Sequence, residues 1–426
     1  MNKLQLGVLD LAPRPSGTTA EAALQEAVRL AQDAECWGYE RYWVAEHHDI
    51  ARLSCPSPEV LLGYIGAVTT SIRLGSGALL LPHYSPLKVA ESFHLLSALC
   101  PGRIELGIGR APGGPPHAAM ALSGNYLQHV AGLPGALDAL TQLLEDAYAY
   151  EGTPVTARPL PEHPPALWLL GTNTRSAEYA ARFGAGYVFG EYMSDKEGAD
   201  VIAGYRQAFQ PSSRLSEAEA MVAVAVVCAP TGEEARRLAA DSAFPGSGPQ
   251  TAASARESSG SASPQAAAGA GESTGRLSPQ AAAGAAESTG NIRPQSAAGA
   301  GESSGSASPQ EAAGAAESTR NISPQAAAGA GGTGAGESTG STTPRAAADA
   351  AAARGTGQDK TASASPVLAG DPEEVLAGLR ERQERYGTSR FLIYTPAGDY
   401  EQRRRSYRLL AEAAGLEGRA GKKGAE

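Results

Sequence analysis

Two kinds of chemically useful side chain follow apolar runs in the first half of this chain of 426 residues. His47 and His48 come directly after the apolar run that begins at Arg41, and Arg110 follows Gly-Ile-Gly at the end of another run. An imidazole exchanges protons near neutral pH, and a guanidinium binds phosphate oxygens through two parallel hydrogen bonds. Both kinds of side chain are therefore candidates for contacts with a ligand.

A third polar segment, GTNTRS at 171–176, follows an apolar run and opens a predicted helix. Backbone N–H groups at a helix N-terminus and the hydroxyls of Thr172, Thr174 and Ser176 can bind an anion. The same hydroxyls can instead only cap the helix, and the sequence leaves both interpretations open.

The two histidines can also have a purely structural role, in which they only satisfy local hydrogen bonds. At the end of the second strand, His47 and His48 are expected to point to opposite faces of the sheet, because side chains alternate along a strand, so that only one of them reaches a ligand. Glu46, His47 and His48 are contiguous and lack the helical H-E-x-x-H spacing of a zinc site, so no metal is predicted.

The elements that position these residues alternate between apolar strand candidates and helix patterns. The eight strand candidates are 4–11, 41–47, 72–81, 103–109, 166–171, 186–190, 220–228 and 390–395. Eight βα units predict an α/β fold of the closed (β/α)8 TIM-barrel type, with binding residues at the C-terminal ends of the strands. An open, doubly wound sheet is the alternative, because strand count alone does not show closure.

A long low-complexity insertion interrupts this pattern after the seventh strand. Residues 245–365 contain no aromatic side chain and repeat a 15-residue Ala/Gly/Ser/Pro unit that offers almost only alanine for packing. Such a stretch cannot bury enough apolar surface to offset its ordering entropy, so we predict disorder. The predicted organisation is therefore a first barrel part at 1–244, the insertion, a barrel completion at 366–418 and a flexible tail at 419–426.

Composition limits the partners. The formal net charge of -10 argues against nucleic acid as a partner. No apolar stretch approaches the roughly 18 residues of a membrane span, and the N-terminus carries no signal-like apolar region. Four widely spaced cysteines contain no C-x-x-C pair, which favours a reducing, cytoplasmic setting.

Four linked motifs resemble one known family. RYWVAEHH, IRLGSGALLLPHYSPLKVAE, PGRIELGIGRAPG and LWLLGTNTRSAEYAARFG are similar to the luciferase-like monooxygenases, the flavin-dependent barrel oxidoreductases related to bacterial luciferase. The resemblance covers about residues 3–243 and 366–416. It implies reduced FMN bound at the C-terminal mouth of the barrel, O2 as co-substrate, a small organic substrate, a separate flavin reductase and a homodimer.

The resemblance also implies roles for individual residues. His47 matches the histidine that assists the oxygen chemistry of the flavin, and Gly77-Ala78 matches a cis peptide against the flavin ring. The expected phosphate-binding residues are Arg110, Thr172, Asn173 and Ser176. The residues expected on the substrate side, with weaker support, are Asp10, His83, Tyr84, Glu191 and Tyr192.

Two other functions stay open: hydride transfer with the deazaflavin F420, and flavin binding without turnover. Gly109 stands where bacterial luciferase has a reactive cysteine, so light emission is not expected.

Overall fold

The computed structural model describes residues 3–194, 197–241, 367–396 and 398–418. Their strands are β1 (Gln5–Asp10), β2 (Arg41–Val44), β3 (Arg73–Ser76), β4 (Leu79–Leu80), β5 (Ile104–Gly109), β6 (Ala149–Tyr150), β7 (Thr153–Pro154), β8 (Ala166–Gly171), β9 (Gly186–Gly190), β10 (Ala220–Cys228), β11 (Val367–Gly370) and β12 (Arg390–Tyr394). The helices are α1 (Ala20–Trp37), α2 (Pro58–Val68), α3 (Pro86–Leu99), α4 (Pro116–Ser123), α5 (Tyr126–Ala131), α6 (Leu133–Leu144), α7 (Thr174–Arg182), α8 (Gly198–Ala208), α9 (Gly232–Asp241), α10 (Pro372–Tyr386) and α11 (Tyr400–Ala413). Two short 3-10 helices cover Leu81–His83 and Glu191–Met193.

Eight parallel strands close into a barrel in the order β1, β2, β3, β5, β8, β9, β10 and β12. Pairing between β12 and β1 completes the ring, and β9 pairs with β10. The predicted (β/α)8 barrel is confirmed, and the open doubly wound sheet is excluded because its two edge strands would have no such partners. The carboxyl ends of all eight strands therefore lie at one rim.

Side chains alternate between two cores along each strand. Leu9, Trp43 and Trp168 pack together inside the barrel, whereas Leu6 and Val8 belong to the larger core between the sheet and its helices. Both faces of the strands are buried, as expected of a parallel sheet covered by helices. The parity of a residue within its strand thus decides whether it faces the barrel axis or the helix layer.

All eight strand candidates form strands, with two differences at the rim. The second strand ends at Val44 instead of 47, so Glu46, His47 and His48 lie in a loop. The third candidate, 72–81, is interrupted between Ser76 and Leu79, and its end continues as a 3-10 helix.

Local capping signals hold where the chain re-enters the barrel. The Asp371 carboxylate accepts hydrogen bonds from the backbone N–H groups of Glu373 and Glu374, each at 3.0 Å. Glu374 in turn accepts from the Asp371 N–H at 3.0 Å, which completes a capping box at the start of α10. The predicted disordered insertion at 245–365 and the tail at 419–426 lie outside the described residues. Within the described part of the chain, no helix combines the length and apolarity of a membrane span.

Candidate active site at the barrel rim

The loop after β2 carries the two histidines and is fixed by backbone hydrogen bonds. The His47 N–H donates to the Cys55 carbonyl at 3.0 Å, and the His48 N–H donates to the Gly113 carbonyl at 2.8 Å. The prediction that strand alternation orients these two side chains is therefore wrong, because the strand has already ended. The loop joins the rim of β2 to the loop after β5.

His47 carries an unsatisfied ring nitrogen. Its Nδ1 atom is buried and has no hydrogen-bond partner among the described residues. Burial lowers the pKa of His47 to about 4, against the opposing effect of the neighbouring Glu46 carboxylate. Near neutral pH the ring is therefore neutral, and it can donate a hydrogen bond from one nitrogen and accept at the other.

The Glu46 carboxylate, which sequence reasoning considered only as a metal ligand, connects its own loop to the segment at 80–84. Its Oε1 lies 2.7 Å from His48 Nε2 and accepts from the Tyr84 hydroxyl at 2.8 Å. Its Oε2 accepts from the Leu80 N–H at 2.9 Å. The Glu46 side chain is fully buried, so these hydrogen bonds replace its lost hydration.

Tyr84 and His83, two predicted substrate contacts, are occupied by protein partners. Burial and then Glu46 raise the pKa of Tyr84. His83 Nδ1 lies 2.9 Å from Ser123 Oγ and its Nε2 lies 3.1 Å from the Pro112 carbonyl, while its ring stacks on Tyr126. His83 therefore attaches the segment after β5 to the barrel. Its role toward a substrate stays a prediction.

Arg110 and Ser176 line one narrow cleft between β5, β8 and helices α6 and α7. Arg110 also acts electrostatically on Tyr126 and Tyr187, lowering the pKa of each against the larger effect of burial. Within the described ranges the guanidinium has no carboxylate partner, while its backbone carbonyl accepts from the Tyr126 hydroxyl. A cation that lacks an internal counter-ion is available for an anionic ligand.

The segment 171–176 does cap α7. Asn173 Oδ1 accepts from the Ser176 N–H at 3.3 Å, and Ser176 Oγ donates to the Asn173 carbonyl at 2.7 Å. Ser176 Oγ also lies 3.2 Å from the Tyr187 hydroxyl, a contact that sequence reasoning missed. Thr172 lies on the same turn, where its carbonyl accepts from Ser194 at 3.3 Å. Capping thus occupies Asn173 and Ser176, and Arg110 together with the amide end of α7 is left for an anion.

Gly77 and Ala78 lie between the histidine loop and the Arg110 cleft. Their peptide bond is cis, as the sequence resemblance implied. A Cβ added at Gly109 would lie 2.9 Å from the Ala78 Cβ and 3.3 Å from a methyl carbon of Leu80. Because that spacing is closer than carbon atoms pack, a cysteine at 109 requires the 78–80 segment to move.

The substrate-side prediction for Asp10 is corrected by its position in β1. Asp10 has the parity of Leu6 and Val8 and so faces the helix layer instead of the barrel mouth. Its carboxylate is 2.7 Å from the Arg403 guanidinium of α11 and also accepts from the Tyr42 hydroxyl. The group is fully buried and serves the packing of α11.

Glu191 and Tyr192 follow β9 and point to different places. Glu191 pairs with Arg382 of α10 at 2.8 Å, on the helix side, so its predicted substrate role is also corrected. Tyr192 packs against the core inside the barrel, with its ring 5.3 Å from that of Tyr394. Of the two residues, Tyr192 is on the barrel side, and its role toward a substrate stays a prediction.

Comparison with known proteins supplies the family. The family model described as "Luciferase-like monooxygenase" matches residues 4–389. An N-acetyl-S-alkylcysteine monooxygenase of Bacillus subtilis (strain 168) is 44% identical over 237 residues, which are 55% of this chain and 70% of that protein. A protein of Escherichia coli (strain K12) named luciferase-like monooxygenase is 37% identical over 237 residues, with the same two coverages.

A solved structure extends the similarity beyond those alignments. Apo-MsnO8 superposes with a TM-score of 0.65 at 27% identity, covering 97% of this chain and 99% of the other.

Proposed function

Because this chain belongs to the luciferase-like monooxygenases, we propose that it uses reduced FMN and O2 to oxygenate a small organic substrate. A separate flavin reductase would supply the reduced cofactor, as the resemblance to flavin-dependent barrel oxidoreductases implies.

The observation that carries this proposal is the Arg110 guanidinium, which has no carboxylate partner among the described residues and lies near Ser176 in the first turn of α7. A phosphate there would accept from the guanidinium and from the free N–H groups at the start of α7. The buried Nδ1 of His47, which has no protein partner in the described chain, is the second feature that fits a ligand with polar ring atoms. The residues present therefore fit a flavin mononucleotide.

The bound flavin would supply electrons to O2, and the protein would control position, water and protons. Arg110 and the amide end of α7 would hold the phosphate. The His47 ring, neutral near physiological pH, would give or take a proton at Nδ1. The 110–126 segment is attached through His83 and Tyr126, and it would limit the entry of water at this part of the rim.

The substrate side is the barrel mouth around Tyr192 and Tyr394, above the apolar side chains of Leu11 and Leu170. This lining favours a substrate with a substantial apolar part. The Bacillus relative is named for oxygenating N-acetyl-S-alkylcysteines. We therefore propose an N-acetyl-S-alkylcysteine thioether as the first substrate to test.

The test is an incubation of purified protein with FMN, a flavin reductase, NADH, labelled O2 and the thioether, with product mass as the readout. Incorporation of one labelled oxygen atom, lost in an Arg110→Met variant, supports the proposal. The alternative, hydride transfer with F420, is tested by the same incubation under anaerobic conditions with reduced F420. Turnover only in that arm would refute oxygenation, and flavin binding with no product in either arm across a substrate panel would favour a noncatalytic protein.

We also propose a homodimer that forms through the outer face of α2 and α3. Val60 and Tyr64 on α2 and Leu95 and Leu99 on α3 are at least half exposed although apolar. The two helices are neighbours, and a two-fold axis through this face would pair the patch with itself. Tyr64→Glu should give a monomer by light scattering, whereas the control Leu127→Glu, at an exposed apolar residue of α5, should keep the wild-type mass. A wild-type monomer would refute the dimer.

A further inference from the structure

The Glu46 carboxylate lies in a loop, yet several protein groups form hydrogen bonds with it. It is fully buried, and three groups converge on its two oxygens: His48 Nε2, the Tyr84 hydroxyl and the Leu80 N–H. Leu80 belongs to the segment that begins with Gly77 and Ala78, and His48 is bonded through its backbone to Gly113. The Glu46 side chain therefore links its own loop to the 77–84 segment, and the His48 backbone links that loop to the one after β5.

The hydrogen bond to Glu46 determines which ring nitrogen of His48 carries the proton. An ionised carboxylate only accepts hydrogen bonds, so the 2.7 Å contact requires a proton on His48 Nε2. In the neutral ring, Nδ1 then holds the lone pair. That nitrogen makes no hydrogen bond to a described residue and is not among the enclosed unpaired atoms. The arrangement matches the carboxylate–imidazole pairs that fix a tautomer in many active sites.

We infer that Glu46 is a positioning residue that holds His48 as the Nε2–H tautomer and presents its Nδ1 lone pair at the rim. His48 Nδ1 can then take up a proton released at the site, and the resulting imidazolium stays paired with Glu46. This inference rests on the proposed function for its catalytic meaning, but the tautomer itself is a property of the resting protein.

The informative substitution is Glu46→Gln, because an amide cannot accept at both ends. If its oxygen faces His48 and Tyr84, its NH2 group meets the Leu80 N–H. If its oxygen faces Leu80, its NH2 group meets His48, which must then accept at Nε2 and move its proton to Nδ1. We expect the variant to populate the Nδ1–H tautomer.

Glu59 is the matched control. It is a half-buried carboxylate near Glu46 and His48, and burial raises its pKa, yet it makes no hydrogen bond to either residue among the described contacts. Glu59→Gln removes a comparable charge from the same neighbourhood and should leave the His48 tautomer unchanged.

The experiment is 15N NMR of histidine-labelled protein above the ordinary titration range of imidazole, with the His48 signals identified by their loss in His48→Gln. The chain contains seven histidines, and the signals that disappear in this one variant identify His48 among them. The expected result is one Nε2–H tautomer in the wild type and in Glu59→Gln, and a mixture in Glu46→Gln. A wild-type Nδ1–H tautomer or persistent imidazolium, or equal populations in all three proteins, would overturn the inference.

Turnover gives the second readout. Glu46→Gln should lower kcat about tenfold or more, with the FMN Kd within about threefold of wild type, because the phosphate is held elsewhere. Equal kcat in both glutamine variants would refute the link to catalysis. An inactive wild-type protein that nevertheless shows the expected tautomers would refute only the proposed oxygenation.

Discussion

Two adjacent arginines of α11 provide a sharp test of how the Asp10 carboxylate functions. Arg403 pairs with Asp10 at 2.7 Å, with side chains only 2% and 0% exposed. Arg404 pairs with Asp33 at 2.6 Å, with side chains 38% and 25% exposed. Replacing each arginine by methionine removes one cation from the same helix, so the two variants differ mainly in the burial of the anion left behind.

The expected magnitudes follow from that difference. Arg403→Met leaves Asp10 as a buried carboxylate that keeps only the Tyr42 hydroxyl and the Ala12 N–H as donors. Breaking a buried pair in this way costs about 3–5 kcal/mol of unfolding free energy. Arg404→Met exposes Asp33 to water and should cost about 0–1 kcal/mol. The double variant Asp10→Asn/Arg403→Met should recover much of the loss, because no buried charge is left.

Urea denaturation followed by tryptophan fluorescence measures these differences, since Trp43 is fully buried inside the barrel. Similar losses in the two single variants would show that burial of the pair is not decisive. Equal stability of Arg403→Met and the double variant would refute the view that an uncompensated Asp10 charge causes the loss. If Arg403→Met changed substrate preference without loss of stability, the result would instead support a substrate-side role for Asp10.

Three further predictions concern the rim. Arg110→Met should weaken FMN binding about tenfold to a hundredfold, from the loss of about 1.5–3 kcal/mol of charge-assisted hydrogen bonding, and should leave riboflavin binding nearly unchanged; calorimetry with both ligands measures this, and equal losses would remove the phosphate assignment. The pKa of His47 is lowered to about 4 in the folded chain, so the folded state binds fewer protons than the unfolded one between about pH 6.5 and 4. The contribution of His47 to the unfolding free energy is therefore fully present above about pH 6.5. It is lost as the pH falls to about 4, and the loss amounts to roughly 2 kcal/mol for a partly exposed ring. In His47→Asn, the urea midpoint should change less with pH over this range than in the wild type. Gly109→Ala should displace Ala78 and Leu80, costing about 1–3 kcal/mol of unfolding free energy and weakening FMN binding; an unperturbed thermal midpoint would contradict the close approach.

Much of the fold could be predicted because parallel βα units leave a strong mark on the sequence. Strands β8, β9 and β10 begin and end where their apolar runs do. The ends of the rim strands were harder to predict, since a residue such as Glu46 is buried although it lies beyond the end of β2. A buried position beyond a strand also requires an apolar side chain or a hydrogen-bonded polar one. The hydrophobic pattern in the sequence therefore extends past the last residue of the strand.

Some features of the chain depend on neighbouring residues in the sequence, whereas others depend on contacts made only in the folded protein. The capping box at Asp371 depends on four consecutive residues, so its determinants are local in the sequence. The face of Asp10 depends on which side of β1 encloses the barrel axis, and both sides are buried and apolar. Alternation places Asp10 on the same face as Leu6 and Val8, but it does not show that this face meets α11.

The sequence by itself determined the order of the βα units, and with it the rim on which His47, Arg110 and the start of α7 meet. Strand polarity is inherited from chain direction, so every loop after a strand reaches the same end of a parallel barrel. The tertiary structure alone decided the partners: Glu46 meets the Tyr84 hydroxyl and the Leu80 N–H across more than 30 residues of chain. Such contacts depend on closure of the ring and on the exact course of three loops, and no local spacing in the sequence encodes either.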